Sequence, residues 1–311
     1  MSPSRHLGLD LGATNLKWIV VEHDAGEWRT LDRGQVPTAA AEGTDAVIAR
    51  MADAARAAQA AWPGIESVGV GVPGLYDPAT GTTRFLVNLP GGWRGVPVAA
   101  PLSAALGLPV ALINDARAFG LAELRLGAAR GASSMVGLTL GTGVGGVIVI
   151  DGRVLEGHDG TAGEVGHQTI DPDGPWCGCG NRGCVEAYAR ADQIAAACGT
   201  ASAEEAFRAA AAGDARARDG LDQVGRYLGI GIANMITLIS PDRVVIGGGI
   251  AAAGELLIEP IRAELRRRVL TTALDRVDLV TAELGTWAGS IGAAVHGAER
   301  SARGRAGTAA T

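Results

Sequence analysis

The pattern of apolar and polar positions predicts short strands and longer helices in alternation. In the first part of the chain the predicted elements are strands at 6–11, 16–22, 28–36, 67–72 and 109–113, and helices at 45–61 and 116–129. Glycine turns and the Pro73-Gly74 dipeptide separate them. This order is typical of an α/β protein.

The strand pattern then restarts. Residues 134–140, SMVGLTL, precede a glycine turn and the apolar run VIVIDG, so that Leu9 to Thr14 aligns with Leu138 to Gly143, 129 residues later. A duplicated strand-turn-strand unit is the prediction, with two glycine turns facing a cleft for a polyphosphate. Helices, one of them interrupted by glycines, and the strand RVVIGGG complete the chain, and the small residues of 301–311 predict a disordered tail.

Length and composition narrow the class of protein. With 311 residues, 47% of them apolar, the chain is long enough for two domains. A formal charge of −6 argues against nucleic acid as a partner, and we expect none. No apolar run reaches the roughly 18 residues that span a bilayer, so we expect no membrane association and a cytoplasmic location.

The two glycine turns, at residues 12–15 and 141–145, are candidate phosphate sites. Residues without bulky side chains let backbone N–H groups and a threonine hydroxyl approach phosphate oxygens closely. Each turn alone is equally typical of a plain hairpin, and the pairing favours phosphate. Asp10, on the strand before the first turn, is placed to hold Mg²⁺ indirectly.

Asp115 has two interpretations. It lies where a strand meets a helix, so it is a candidate N-cap. The carboxyl end of a parallel strand is also where open α/β sheets bind ligands, and a carboxylate there can accept a proton from a substrate hydroxyl. A helix N-terminus favours the ionised carboxylate, so both roles are compatible.

One histidine and three clustered cysteines predict a metal site. Three thiolates and an imidazole form a complete tetrahedral set for a closed, structural Zn²⁺ site, and the intervening glycines permit the sharp turns it requires. The predicted ligands are His167, Cys177, Cys179 and Cys184. Glu164 and Glu186 lie close in sequence to ligands and, with His167, suit hydrogen bonding to vicinal sugar hydroxyls. Surface ion pairs are the alternative for either glutamate.

Taken together, the motifs resemble those of the ROK family of repressors and sugar kinases. The resemblance covers residues 7 to 298 and rests on DLGATNLK, GVPG, NLPGGW, NDARAFGLAE, LTLGTGVGG, AGEVGH, CGCGNRGCVEAY and the glycines at 247–249. It implies the two-domain actin-like ATPase (ribonuclease H-like) fold. The implied domains are 1–115 with about 287–300, and 116–286 with the zinc motif.

The resemblance also implies roles for individual residues. Asp115 would be the catalytic base. The sugar would be bound by Gly74, Asn88, Asn114, Glu164, His167 and Glu186. ATP would be bound by Asp10, Gly12, Thr14, Gly141, Thr142, Gly143, Gly247, Gly248 and Gly249. His167 and the three clustered cysteines would hold structural Zn²⁺.

The implied activity is ATP-dependent phosphorylation of a hexose, with glucose becoming glucose 6-phosphate, by a homodimer or homotetramer. An aminosugar, mannose or an N-acetylhexosamine remains an alternative acceptor, and polyphosphate an alternative donor. A sugar-sensing repressor is disfavoured, because the first strand begins too early for a preceding helix-turn-helix. Ala13, Arg117 and Val147 depart from the usual pattern, and Arg117 either faces solvent or reaches toward the substrate.

Overall fold

The computed structural model of the chain describes residues 3–86 and 89–309. The chain forms two compact units, one comprising residues 1–127, 156–162 and 286–311, the other residues 128–155 and 163–285. The sequence predicts the first boundary at residue 115, and the first compact unit extends to residue 127, through the helix that begins at Asp115. Among the described residues, no helix combines the length and hydropathy needed to cross a bilayer.

The first unit is a five-stranded sheet with helices and a separate hairpin. Its strands are β1 (Ser4–Leu11), β2 (Asn15–Asp24), β3 (Glu27–Pro37), β4 (Ile65–Val72), β5 (Gly74–Asp77), β6 (Thr82–Leu86) and β7 (Val110–Asn114). Its helices are α1 (Thr44–Ala61), α2 (Ala99–Leu106), α3 (Asp115–Leu126) and, at the end of the chain, α9 (Ala288–Ala309). The sheet order is β3-β2-β1-β4-β7, and β5 pairs with β6.

The second unit repeats that sheet. Its strands are β8 (Met135–Leu140), β9 (Val144–Ile150), β10 (Arg153–Val154), β11 (Arg243–Gly247) and β12 (Asp278–Thr281). Its helices are α4 (Glu186–Ala189), α5 (Ala191–Cys198), α6 (Ala203–Ala211), α7 (Ala215–Ile239) and α8 (Glu255–Arg268). The order β10-β9-β8-β11-β12 has the same antiparallel and parallel pairings as the first sheet, which confirms the predicted duplication.

Each unit has its own apolar core. In the first, leucines and valines of β1 and β4 pack with α1 and α2; in the second, β8 and β11 pack with α7 and α8. The central strands β1, β4 and β8 are buried along nearly their whole length, as expected for strands with apolar residues on both faces.

Helix α9 packs unusually close to the first sheet. A Cβ at Gly8 of β1 would lie 1.9 Å from the Ser290 carbonyl oxygen, and one at Gly69 of β4 would lie 1.7 Å from that of Ala293. Only glycine fits at these two positions. The helix continues to Ala309, and residues 310–311 of the tail predicted at 301–311 lie outside the described residues.

Candidate active site and metal cluster

The first glycine turn joins β1 to β2. The Gly12 N–H donates to the Asn15 carbonyl (3.1 Å), and Thr38 holds the turn from the far end of β3, donating through its N–H to the Thr14 carbonyl (2.8 Å) and through its hydroxyl to the Gly12 carbonyl (2.7 Å). The tip at Ala13 and Thr14 is exposed. Thr38 is a supporting residue that the sequence did not reveal, because its contact spans 24 residues or more.

Asp10 lies beside this turn, near the carboxyl end of β1. It is paired with Lys17 on β2 and with Gly71 on β4. Burial raises the pKa of Asp10, and the Lys17 ammonium partly offsets that effect. A carboxylate whose charge is poorly solvated is stabilised by a cation, which suits the predicted role near Mg²⁺.

Asn114 and Asp115 form the junction between β7 and α3. The N-cap is Asn114, whose Oδ1 accepts hydrogen bonds from the backbone N–H groups of Ala116 (3.1 Å) and Arg117 (3.2 Å). Asp115 is therefore the first helical residue and not the cap. Its Oδ1 accepts from the Ala116 N–H (2.8 Å) and from Asn114 Nδ2 (3.0 Å), so the carboxylate is fixed in orientation at a helix N-terminus.

Gly74 is connected to this junction. Its carbonyl oxygen accepts from Asn114 Nδ2 (3.3 Å), and a Cβ at Gly74 would lie 2.4 Å from the Phe85 carbonyl of β6. The structure thus brings Gly74, Asn114 and Asp115 together. Asn88, the other residue expected here, lies outside the described residues.

The second glycine turn joins β8 to β9 and is held from α4 and α5. The Ala191 N–H donates to the Gly141 carbonyl (2.9 Å), and Glu186 Oε2 accepts from the Val144 N–H (2.9 Å). A Cβ at Gly143 would lie 2.6 Å from that carboxylate oxygen. A glycine at 143 therefore permits the turn to approach Glu186.

The glycines at the end of β11 pack against the base of this turn. Gly247 pairs with Thr139 of β8. Gly248 has φ +86°, and a Cβ there would lie 2.2 Å from the carbonyl oxygen of Leu140, the residue before Gly141. The predicted adenosine glycines and the second phosphate turn are thus contiguous.

The four predicted metal ligands are gathered in one place. Donor atoms of His167, Cys177, Cys179 and Cys184 all lie within 4.8 Å of one another. The Cys177 Sγ to His167 Nδ1 distance is 3.7 Å, and the Cys179 to Cys184 Sγ distance is also 3.7 Å. Tetrahedral Zn²⁺ with its usual bond lengths would set neighbouring donors roughly 3.5–3.8 Å apart, so the donor set fits the ion.

Burial raises the pKa of the Cys177 thiol to about 12, so a metal ion must displace a proton to bind there.

The loop that carries the cysteines depends on local backbone geometry: Gly183 has φ +63°, and a Cβ there would lie 1.5 Å from the Asp171 carbonyl oxygen. Two of the candidate ligands, Cys177 and Cys184, form a small buried cluster with Ala187.

Glu186 connects the four candidate metal ligands to the second glycine turn. While Oε2 accepts from Val144, Oε1 lies 3.4 Å from Cys177 Sγ and 4.0 Å from His167 Nδ1. Nδ1 is the ring nitrogen of His167 that is directed at Cys177. Glu164 is exposed and begins the short turn Val165–His167, where its carbonyl accepts from the His167 N–H (3.0 Å).

Comparison with known proteins identifies the chain. A profile of the ROK family matches residues 6–298. The chain belongs to the ROK family. This ROK chain is 35% identical to a glucokinase of Halalkalibacterium halodurans, with 94% of both chains aligned.

Solved ROK structures show the same architecture. A ROK hexokinase from Thermus thermophilus is 38% identical, with a TM-score of 0.83 over 96% of this chain and 99% of that one. A ROK glucokinase from Streptomyces griseus, solved with glucose and AMPPNP, is 32% identical, with a TM-score of 0.76 over 95% and 100%. These neighbours confirm the predicted actin-like ATPase fold.

Proposed function

We propose that this ROK protein is a sugar kinase that transfers the γ-phosphoryl group of ATP to the primary hydroxyl of a hexose, with glucose as the preferred acceptor. The observation that carries the proposal is the fixed carboxylate of Asp115, held by two hydrogen bonds at the start of α3. The likeness to glucokinases over nearly the whole chain supports the choice of reaction and of glucose.

Asp115 would accept the proton of the attacking hydroxyl. Phosphoryl transfer passes through a loose transition state, so catalysis consists largely of positioning and charge stabilisation. The backbone N–H groups and threonine hydroxyls of the two glycine turns would bind phosphate oxygens, and the glycines at 247–249 would lie against adenosine. Mg²⁺, held through water by Asp10, would neutralise phosphate charge.

The sugar hydroxyls would be bound by Glu164, His167 and Glu186, together with Asn88, Asn114 and Gly74. His167 and Glu186 are held in fixed orientations by their neighbours at the cysteine cluster, which favours stereospecific recognition. The hydroxyls of mannose, an aminosugar or an N-acetylhexosamine overlap with those of glucose, so these sugars are the alternative acceptors.

The cluster of His167 and the three cysteines would hold a structural Zn²⁺. A closed four-ligand site has no position for a reacting water, so the ion would brace the sugar-binding residues without taking part in phosphoryl transfer. Free thiols persist in a reducing compartment, which suits a cytoplasmic kinase.

The proposed base is tested with Asp115→Asn, which keeps the shape of the side chain and removes its basicity. We expect kcat to fall about 10²- to 10⁴-fold, the usual contribution of a general base, while calorimetric affinities for glucose and AMPPNP stay within about twofold. The matched control is Asp53→Asn, on the exposed face of α1 beside Arg56, which should leave kcat unchanged. Full turnover by Asp115→Asn would remove Asp115 from the mechanism.

Substrate choice is tested separately with a coupled assay. Glucose, mannose, glucosamine and N-acetylglucosamine are each offered with ATP and with polyphosphate. Glucose with ATP should give the highest kcat/KM. A higher value for another sugar, or for polyphosphate, would replace that half of the proposal and leave the role of Asp115 intact.

A further inference from the structure

We propose that Arg117 is a positioning residue for sugar binding. Its guanidinium holds the backbone carbonyl oxygen of Ala162 and so restricts the position of Glu164, two residues further along the chain. This inference rests on the proposed role of Glu164 in binding a sugar hydroxyl. It assigns a purpose to a residue that departs from the usual pattern of the family motif.

The contact of Arg117 is buried and uses two donors. Only 2% of the residue is exposed, and both Nε (3.1 Å) and Nη2 (2.8 Å) donate to the Ala162 carbonyl oxygen. A buried guanidinium is costly unless it is hydrogen-bonded, and its planar fork restricts the position of the group it binds. Arg117 therefore neither faces solvent nor is a loosely held surface charge.

Arg117 lies on α3, the helix that begins with the proposed base Asp115. The Arg117 N–H donates to Asn114 Oδ1 (3.2 Å), within the same capping arrangement that orients Asp115. Arg117 lies in the first turn of α3, where the cap fixes the backbone. The position of its guanidinium is thus tied to that of Asp115.

The group that Arg117 binds lies on a short, self-contained segment, residues 156–162, which belongs to the same compact unit as α3. The Ala162 N–H donates to the Glu156 carbonyl (3.2 Å) and closes the segment. Arg84 binds it at a second point, donating to the Asp159 carbonyl (3.3 Å). Arg117 holds the last residue of the segment, where the chain leaves it.

Glu164 follows Ala162 after a single residue, Gly163, which has φ +89°. Two residues span at most about 7 Å of extended chain, so fixing the Ala162 carbonyl restricts where the Glu164 backbone can lie. Displacements of about 1 Å in a binding group are enough to change catalytic parameters by up to about 10²-fold. Loss of the guanidinium should therefore weaken sugar binding more than nucleotide binding.

The test compares Arg117→Lys and Arg117→Ala with the matched control Arg84→Ala, which releases the same segment away from Glu164. We expect the KM for glucose to rise about tenfold in Arg117→Lys and further in Arg117→Ala, with the KM for ATP within about twofold. Lysine supplies a donor without the fork, so it should rescue binding only in part. Arg84→Ala should leave both KM values unchanged.

A purely structural role would give a different result: a lower melting temperature with both KM values unchanged, which would overturn the inference. A double-mutant cycle with Glu164→Gln makes the test specific, because Arg117→Lys should add little to the glucose KM once Glu164 is altered. Additive effects would also overturn it. If Glu164→Gln alone leaves glucose affinity unchanged, the proposed sugar role of Glu164 fails instead.

Discussion

Replacing Cys184 by alanine removes one of four donors from a loop that has little else to hold it together. Cys184 is fully buried, its thiol lies 3.7 Å from that of Cys179, and it belongs to a small buried cluster with Cys177 and Ala187. The apolar contribution to the order of this loop is therefore small. We expect the ordered loop to require the bound ion.

The size of the effect follows from the donor set. Structural Zn²⁺ held by such ligands contributes an apparent binding free energy of about 10–16 kcal/mol in small zinc domains at neutral pH. The whole unfolding free energy of a domain is about 5–15 kcal/mol. Losing the ion should thus release the loop locally, and with it the hydrogen bond from Val144 to Glu186.

The assay is metal analysis of the purified protein, followed by limited proteolysis. The wild-type chain should contain one zinc per chain, and Cys184→Ala much less, with new cleavage between residues 168 and 186. Cys198→Ala is the matched control. Cys198 is also buried, but its thiol donates to the Ala217 carbonyl (3.4 Å) on α7, outside the cluster, so that variant should keep its zinc.

Two results would refute this reasoning. Wild-type protein that contains no zinc, and gains none on incubation with Zn²⁺, would show that the cysteines are simply reduced thiols. Cys184→Ala that retains a full zinc equivalent and resists proteolysis would show that the loop is ordered by its backbone hydrogen bonds.

Gly248→Ala should raise the KM for ATP at least about tenfold, because a Cβ there would lie 2.2 Å from the Leu140 carbonyl oxygen. The control is Gly254→Ala, which is also at positive φ but has no neighbour within 4 Å of the added Cβ. Equal KM values for ATP in the two variants would contradict the packing argument. Burial lowers the pKa of His6 from 6.5 to about 4. The unfolded chain therefore binds a proton at His6 before the folded protein does, and the free energy of unfolding decreases as the pH falls from about 6.5 toward 4. The decrease is roughly 3 kcal/mol at most. Urea titrations at pH 7 and 4.5 should show a smaller loss for His6→Gln than for the exposed-site control His158→Gln, and equal losses would exclude His6 as the cause.

Much of the fold was predictable because its signals are local. The strands around Leu9 and Leu138 alternate or run continuously apolar, and each ends in a glycine turn, so their repetition identified the duplicated sheet. The cluster of cysteines was predictable for the same reason. Ligands separated by one to nine residues leave few arrangements, and the structure gathers all four.

The parts that sequence did not predict depend on contacts between distant residues. Asn114 and Asp115 are both good capping residues, and only the backbone shows that Asn114 is the cap. The burial of Arg117 depends on a segment 45 residues away. The hairpin β5–β6 has short strands, four and five residues long, with a register shift that breaks the alternating pattern.

The position of α9 has a consequence for biosynthesis. The ribosome makes the sheet of the first unit at the beginning, but the helix that covers it, packed on Gly8 and Gly69, is the last segment to emerge. Residues 128–285, which include all of the second unit, are complete before that helix exists. During translation, the second unit can therefore fold before α9 is available, whereas the strands of the first unit have one face uncovered until α9 is made.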